Sequence, residues 1–350
     1  MEIHYVARNI YQYAYIKTLY REIGGEFIVH KLRAWQHLVR NFRGFESKQP
    51  SRGFLGTQPK IRLLTHRNYD MLSGFLLSTV AVEFSRNPQR LTTFRISHGI
   101  GNKVGMNAAE SEFDYYFVDG DIQLEWLRTY RGLDIPESKI VRTGNFRFDD
   151  VSNQRMDKDQ ILKDFGVKDM QRPSVTFAPT WSYGGGTFAK YTTKLIQELG
   201  RDYNLFIRPH YYDWRNMAPI KKFIREQKLH HIYLVEPWDI RKKDTMENLC
   251  ITDLLITDNS SISYLSLIYQ MPIVLIDVPD DQAIERPVEF DLRKVVDIWD
   301  QNTSISALVE ENLASNKYQA ELQQLLKNCY YYNDGQATSR AVKFMQSLST

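Results

Sequence analysis

Short apolar runs recur along the whole chain, and most are followed by an amphipathic stretch instead of a tight turn and a second apolar run. That alternation constrains the fold strongly. A strand followed by a helix returns to its sheet in the same direction, so the strands must pair in parallel within α/β units. In the first half the pattern predicts strands over 3–7, 26–30, 61–65, 93–97, 115–118 and 140–143, with helices over 13–23, 71–84 and 122–130. A polar, helical connection over 151–168 follows. The pattern then restarts, with strands over 175–178, 203–207, 232–235, 254–257 and 273–276 and helices over 191–199, 220–227, 262–269 and 337–348.

At 350 residues the chain has room for two domains of roughly 150 residues each. The restart places them at 1–150 and 151–336, with 337–350 as a closing helix that crosses back to the first domain. A hydrophobic share of 43% supplies two cores. The formal charge of +3, without a recognition-helix pattern or a basic stripe, argues against nucleic acid as a partner. It leaves contact with an anionic membrane surface open. No stretch approaches the roughly 18 apolar residues of a membrane span. Glu2, His4, Arg8 and Lys17 interrupt the apolar residues at the start, so a signal-peptide core is absent and a cytoplasmic location is expected. Cys250 and Cys329 lack metal-ligand spacing, and no acidic pair has it either. Neither a metal nor a cofactor is therefore expected.

Four motifs begin just past the ends of expected strands, at His98, Thr180, Arg208 and Asp258. Open parallel sheets bind ligands there, and two such sheets facing each other would make an interdomain cleft. In LLITDNSSISYLSLIYQMPIVLI the chain breaks at Asp258-Asn259, and Ser260 and Ser261 open the next helix. Hydroxyls and free N–H groups in that position suit a phosphate, and ordinary helix capping is the plain alternative. Arg208 offers phosphate a permanent planar cation, and His210 offers a hydrogen bond or a proton to an oxygen gaining charge. A structural histidine would look the same. His98-Gly99-Ile100-Gly101-Asn102-Lys103 is the counterpart in the first half, with glycines that admit a ligand closely. There His98 suits a general base for an alcohol and Lys103 could meet phosphate; the alternative is a glycine turn. Asn145 and Arg147 either line the cleft or cap the linker. Gly184-Gly185-Gly186 reads as a surface loop.

Taken in order, these segments resemble the CDP-glycerol glycerophosphotransferase family. Ala178-Pro179-Thr180-Trp181 and Thr257-Asp258-Asn259-Ser260-Ser261 match its motifs, the second with Asn259 in place of tyrosine. His98-Gly99 and Lys103, then Gly144, Arg147 and Asp149, then Arg208-Pro209-His210, and finally Asp334-Gly335, Ala337 and Arg340 match the others. The resemblance spans about 95–345. It implies the GT-B architecture, two Rossmann-like parallel-sheet domains about a cleft. It also implies a CDP-linked polyol-phosphate donor and a hydroxyl acceptor on a polymer or lipid-linked glycan, as in teichoic-acid or capsule synthesis. On this reading His98 and His210 are catalytic. Arg208, Ser260, Ser261, Asp258, Thr180 and Lys103 hold the donor phosphates, and Gly99, Asn145 and Arg147 line the cleft. A nucleotide-sugar glycosyltransferase or a non-catalytic nucleotide-binding subunit would use a similar frame.

Overall fold

The computed structural model describes residues 2–7, 10–40, 60–80, 84–97, 99–100, 113–181, 186–236, 244–278 and 285–349. They form two compact units. The first takes in the described residues up to Ile100, those from 113 to Arg155, and those from Cys329 onward; the second runs from Met156 to Asn328.

Among the described residues of the first unit, seven strands make one parallel sheet: β1 (Ile3–Val6), β2 (Glu26–Val29), β3 (Lys60–Leu63), β4 (Gly74–Ser78), β5 (Leu91–Ile96), β6 (Tyr115–Val118) and β7 (Ile140–Arg142). Their order is β3-β2-β1-β4-β5-β6-β7, with Tyr5 registered between Phe27 and Leu77. Helices cover the sheet, so its central strands β1, β4 and β5 are buried along almost their whole length instead of alternating between buried and exposed positions. Tyr5, Phe27, Phe94 and Phe117 stack along one face, and the helix Ala337–Ser347 lays Ala341 and Met345 into the same cluster.

Within the stretch 71–84, where apolar spacing predicts a helix, Gly74–Ser78 form the strand β4. Its run Phe75-Leu76-Leu77 is buried between β1 and β5, and a fully buried strand carries no period of two to tell it from a helix. Gly74 decides the matter locally: its φ is +89°, and a Cβ there would lie 2.3 Å from the carbonyl oxygen of Glu2. The segment expected as one helix over 13–23 is a 310 turn (Ile10–Ile16) followed by a helix (Lys17–Ile23). The connection over 151–168 carries two helices, Phe148–Ser152 and Lys158–Asp164, and the unit boundary falls between them.

The described strands of the second unit are β8 (Ser174–Phe177), β9 (Asn204–Ile207), β10 (Ile232–Leu234), β11 (Leu254–Thr257), β12 (Ile273–Ile276) and β13 (Asp297–Trp299). They pair in parallel in the order β10-β9-β8-β11-β12-β13. This is the doubly wound order, and its direction of winding reverses between β8 and β11. Val175, Phe177, Leu205, Ile207, Leu254, Ile256, Val274 and Ile276 fill the core beneath the helix Phe188–Leu199. Among the described residues no helix is long and apolar enough to cross a membrane.

Candidate active site

At the switch point of the second unit, one carboxylate organises the main chain. Asp258 follows β11 and is 2% exposed. Its Oδ1 accepts the N–H of Thr180 at 2.7 Å, and its Oδ2 accepts the N–H and hydroxyl of Thr187 at 3.0 and 2.9 Å. Thr180 ends the β8 segment and Thr187 precedes the helix Phe188–Leu199, so Asp258 ties both to the end of β11. Gly186 closes this junction by donating its N–H to the Trp181 carbonyl at 3.0 Å. A Cβ on Gly186 would stand 2.2 Å from the carbonyl oxygen of Thr180. Asp258 therefore lies under the crevice, with its oxygens turned to backbone donors.

The serines expected at a phosphate behave differently from each other. Ser260 Oγ accepts the N–H of Ile262 at 3.5 Å, a weak cap, and the Ser260 carbonyl accepts the Ser263 hydroxyl at 2.7 Å. Ser261 stands at the helix start without using its side chain as a cap. The helix that follows, Ile262–Ser266, is one short turn continued by a 310 turn, Leu267–Tyr269. So short a helix has little dipole to offer, and the hydroxyls themselves carry the polar character of this edge.

Beside them β9 leads into Arg208, which is 6% exposed. The Arg208 N–H continues the ladder to the Phe177 carbonyl at 2.8 Å, and its Nη2 donates to Thr245 Oγ1 at 3.0 Å. His210 then caps the 310 turn Tyr211–Asn216, with its Nδ1 accepting the Tyr212 N–H at 3.3 Å. The rings of Trp181, His210 and Tyr212 meet pairwise, with centroids 5.2–6.1 Å apart. Trp181 stands in a segment the sequence marks, but Tyr212 and Thr187 carry no motif signal. Only the convergence of β8, β9 and β11 brings them to this edge.

In the first unit, His98 and Lys103 lie outside the described residues. Gly99 has a φ of +140° and donates its N–H to Ser97 Oγ at 3.3 Å, a turn at the end of β5 that favours glycine. Asn145 and Arg147, expected either to line the cleft or to cap the linker, are each 4% exposed. Asn145 Nδ2 donates to Asp119 Oδ2 at 3.1 Å, Asn145 Oδ1 accepts the Arg147 N–H at 3.0 Å, and the guanidinium of Arg147 lies 4.5 Å over the Tyr15 ring. Burial pushes the Asp119 carboxyl up to about 8, against the pull of Arg147.

The neighbouring Asp149 accepts the N–H groups of Ala337 and Thr338 at 2.9 and 2.8 Å, capping the last helix. Gly144 has a φ of +85°, and a Cβ there would lie 2.9 Å from the Tyr331 carbonyl oxygen. Arg340 donates to the Thr143 carbonyl at 3.3 Å and pairs with Asp334 at 2.9 Å. The segments around Gly144–Asp149 and Asp334–Arg340 thus bind each other, and they hold the end of the chain in the first unit. Among the described residues no group of three or more His, Cys, Asp or Glu side chains is placed to hold a metal ion.

The family model for CDP-glycerol:poly(glycerophosphate) glycerophosphotransferase matches residues 74–347, more than three quarters of the chain. The chain belongs to this family. It is a glycerophosphotransferase-type enzyme, with a CDP-glycerol-type donor and a polymer acceptor as the substrate classes of the family. No curated protein sequence matches it. Among solved structures, the wall teichoic acid polymerase TagF is similar over 99% of this chain and 88% of its own, at 15% identity and a TM-score of 0.70. A putative UDP-N-acetylglucosamine 2-epimerase from Listeria monocytogenes is similar over 100% and 96%, at 14% identity and a TM-score of 0.58. S. aureus MnaA, solved with UDP, follows at 15% identity and a TM-score of 0.56, over 100% and 97%. These likenesses place the glycerophosphotransferase in the GT-B class of two parallel-sheet units. Within it, Thr180, Arg208, His210, Asp258, Ser260 and Ser261 all fall in the second unit, at the ends of β8, β9 and β11.

Proposed function

We propose that this enzyme transfers glycerol phosphate, or a related polyol phosphate, from a CDP-linked donor to a hydroxyl at the end of a teichoic-acid-type or capsular polymer. The acceptor oxygen attacks the phosphorus that bears the polyol. The bond from that phosphorus to the bridging oxygen breaks, and CMP leaves with the electron pair. The acceptor proton passes to His98, assigned as base on its chemistry and its place after β5. Arg208 and His210 stabilise the phosphates, and the hydroxyls of Ser260 and Ser261 bind the diphosphate. Positioning and electrostatics supply most of the catalysis in phosphoryl transfer, so fixed donors suit the task. Asp258 serves this site from below: an anion beside a diphosphate would repel it, whereas a carboxylate spent on Thr180 and Thr187 holds the backbone around it. Work on a cell-envelope polymer would bring the protein to the inner face of the membrane as a peripheral partner.

The observation that carries this reading is the meeting of Thr180, Arg208, His210 and the Ser260-Ser261 pair around the switch point of one sheet, in a chain of this family. The frame is shared with structures named for a UDP-sugar enzyme and for a complex with UDP, so the donor decides between the readings. Purified protein is incubated with CDP-glycerol, CDP-ribitol and several UDP-sugars, each with a polyglycerophosphate primer. CMP release with primer extension is expected. UDP release would mean a glycosyltransferase, and nucleotide binding without turnover would mean a non-catalytic subunit.

A further inference from the structure

We infer that His210 is held as its Nε2–H tautomer and acts as a neutral hydrogen-bond donor, with Trp181 and Tyr212 as the residues that position it. The inference rests on the reading that His210 meets the donor phosphates, and it says which nitrogen does so and in which protonation state.

The tautomer follows from one contact. The chain leaves β9 through Arg208 and Pro209, and His210 (φ −65°, ψ 146°) becomes the cap of the 310 turn. Its Nδ1 lies 3.3 Å from the backbone nitrogen of Tyr212. A backbone N–H can only donate, so Nδ1 presents its lone pair. A neutral imidazole has one ring hydrogen, and here it must sit on Nε2. A second proton would have to enter at Nδ1, against the Tyr212 N–H, so the turn favours the uncharged ring. The rings hold its plane: Trp181 at 6.1 Å and 43°, Tyr212 at 5.2 Å and 42°, and these two in contact with each other at 5.5 Å. Trp181 comes from the end of β8 and brings no charge. The charged side chains on the histidine's own segment are Arg208, Asp213 and Arg215. Asp213 accepts from Asn216 at 3.3 Å, and Arg215 lies over Trp214 at 5.1 Å. An imidazole fixed in this way has no basic nitrogen at Nε2. It directs a donor at an oxygen that gains charge and takes no proton, which leaves the acceptor's proton to another group.

The tautomer is read directly by NMR on the full chain labelled with 15N-histidine, with the His210 signals assigned by their loss in His210→Gln. Between pH 6 and 8, Nε2 is expected to carry the hydrogen and Nδ1 none. An Nδ1–H ring, or an imidazolium at pH 7, overturns the inference whatever the enzyme does. Activity tests the donor role. Glutamine carries an N–H near the Nε2 position, whereas asparagine's falls near Nδ1. His210→Gln should keep turnover within about tenfold of the parent, and His210→Asn and His210→Ala should lose roughly 10- to 100-fold. Equal losses in Gln and Ala would show that a proton moves at His210 and would overturn the donor role. No loss in Ala, with the Nε2–H tautomer present, would instead remove His210 from the phosphate site and overturn the reading beneath the inference. For the positioning residues, Tyr212→Ala keeps the backbone N–H and should keep the Nε2–H tautomer, but with the ring plane freed it should raise KM for the donor more than it lowers kcat, with recovery in Tyr212→Phe. A donor KM unchanged in Tyr212→Ala would release Tyr212 from that role.

Discussion

Asp258 and Asp119 are both buried carboxyls at strand ends, and the fold treats them oppositely. Asp258 receives three donors and is used as an anion. Replacing it with asparagine sets an NH2 group against a backbone N–H and leaves that donor unmatched. Asp258→Asn should therefore lower stability by about 2 kcal/mol, from the lost charged hydrogen bond. Donor affinity should fall with it, as read by urea unfolding and by calorimetric titration with CDP. Unchanged CDP affinity in a folded Asp258→Asn protein would separate this carboxylate from the donor site. Asp119 receives one side-chain donor, from Asn145, and burial raises its carboxyl to about 8. An acid raised in the folded state binds more protons folded than unfolded between its two values. Stability should then fall as pH rises from about 4 to 8, the span between the ordinary aspartate and the buried one. Asp119→Asn keeps a carbonyl for Asn145 and removes the titration, so its unfolding midpoint should fall less across that range than the parent's. Identical pH profiles would mean that Asp119 ionises freely in the fold.

Glycine and helix contacts at the end of the chain set the behaviour of whole elements. The strand-end glycine Gly120 would place a Cβ 1.8 Å from the Cys329 carbonyl oxygen, so the returning chain passes directly over it. The helix Ala337–Ser347 then seats Met345, fully buried, in the core cluster that also holds Tyr5, Phe27 and Phe94. Met345→Ala should cost about 2–5 kcal/mol, the usual range for a buried methionine, and thermal unfolding measures it. A loss below 1 kcal/mol would mean that this helix only rests on the sheet. The apolar positions of the helix are legible in the sequence as one stripe. What they pack against is not, because a stripe states that a face is buried and not by which element. The strand β4 shows the same limit from the other side: Phe75-Leu76-Leu77 announces burial, and only its neighbours β1 and β5 make it a strand.

At the scale of the molecule, the described residues of the second unit all lie between Met156 and Asn328, while the first is assembled from segments on either side of them. A fragment spanning 156–328 should fold alone and bind CDP within about tenfold of the intact protein, since the proposed donor residues all lie in it. A fragment ending at 155 should not fold without the returning segment, which supplies part of its core. Circular dichroism and calorimetric titration of both fragments test this. A well-folded fragment 1–155, or a 156–328 fragment that folds but ignores CDP, would count against this division.

The sequence by itself determined the class of the protein: alternating runs dictate parallel α/β units, and the ordered motifs identify the family. Both are local patterns, and local patterns survive without knowledge of what lies opposite them. The tertiary structure alone decided what each polar group does. Asp258 looks like a ligand in TDNSS and is spent on Thr180 and Thr187; Asn145 and Arg147 look like cleft residues and are buried around Asp119. A polar side chain needs partners, and its role follows from whichever donors and acceptors the strand order brings within about 3 Å of it. Residues far apart in the chain, such as Asp258 with Thr187 at 71 positions and Asp119 with Asn145 at 26, meet through that order and through nothing their own neighbours reveal.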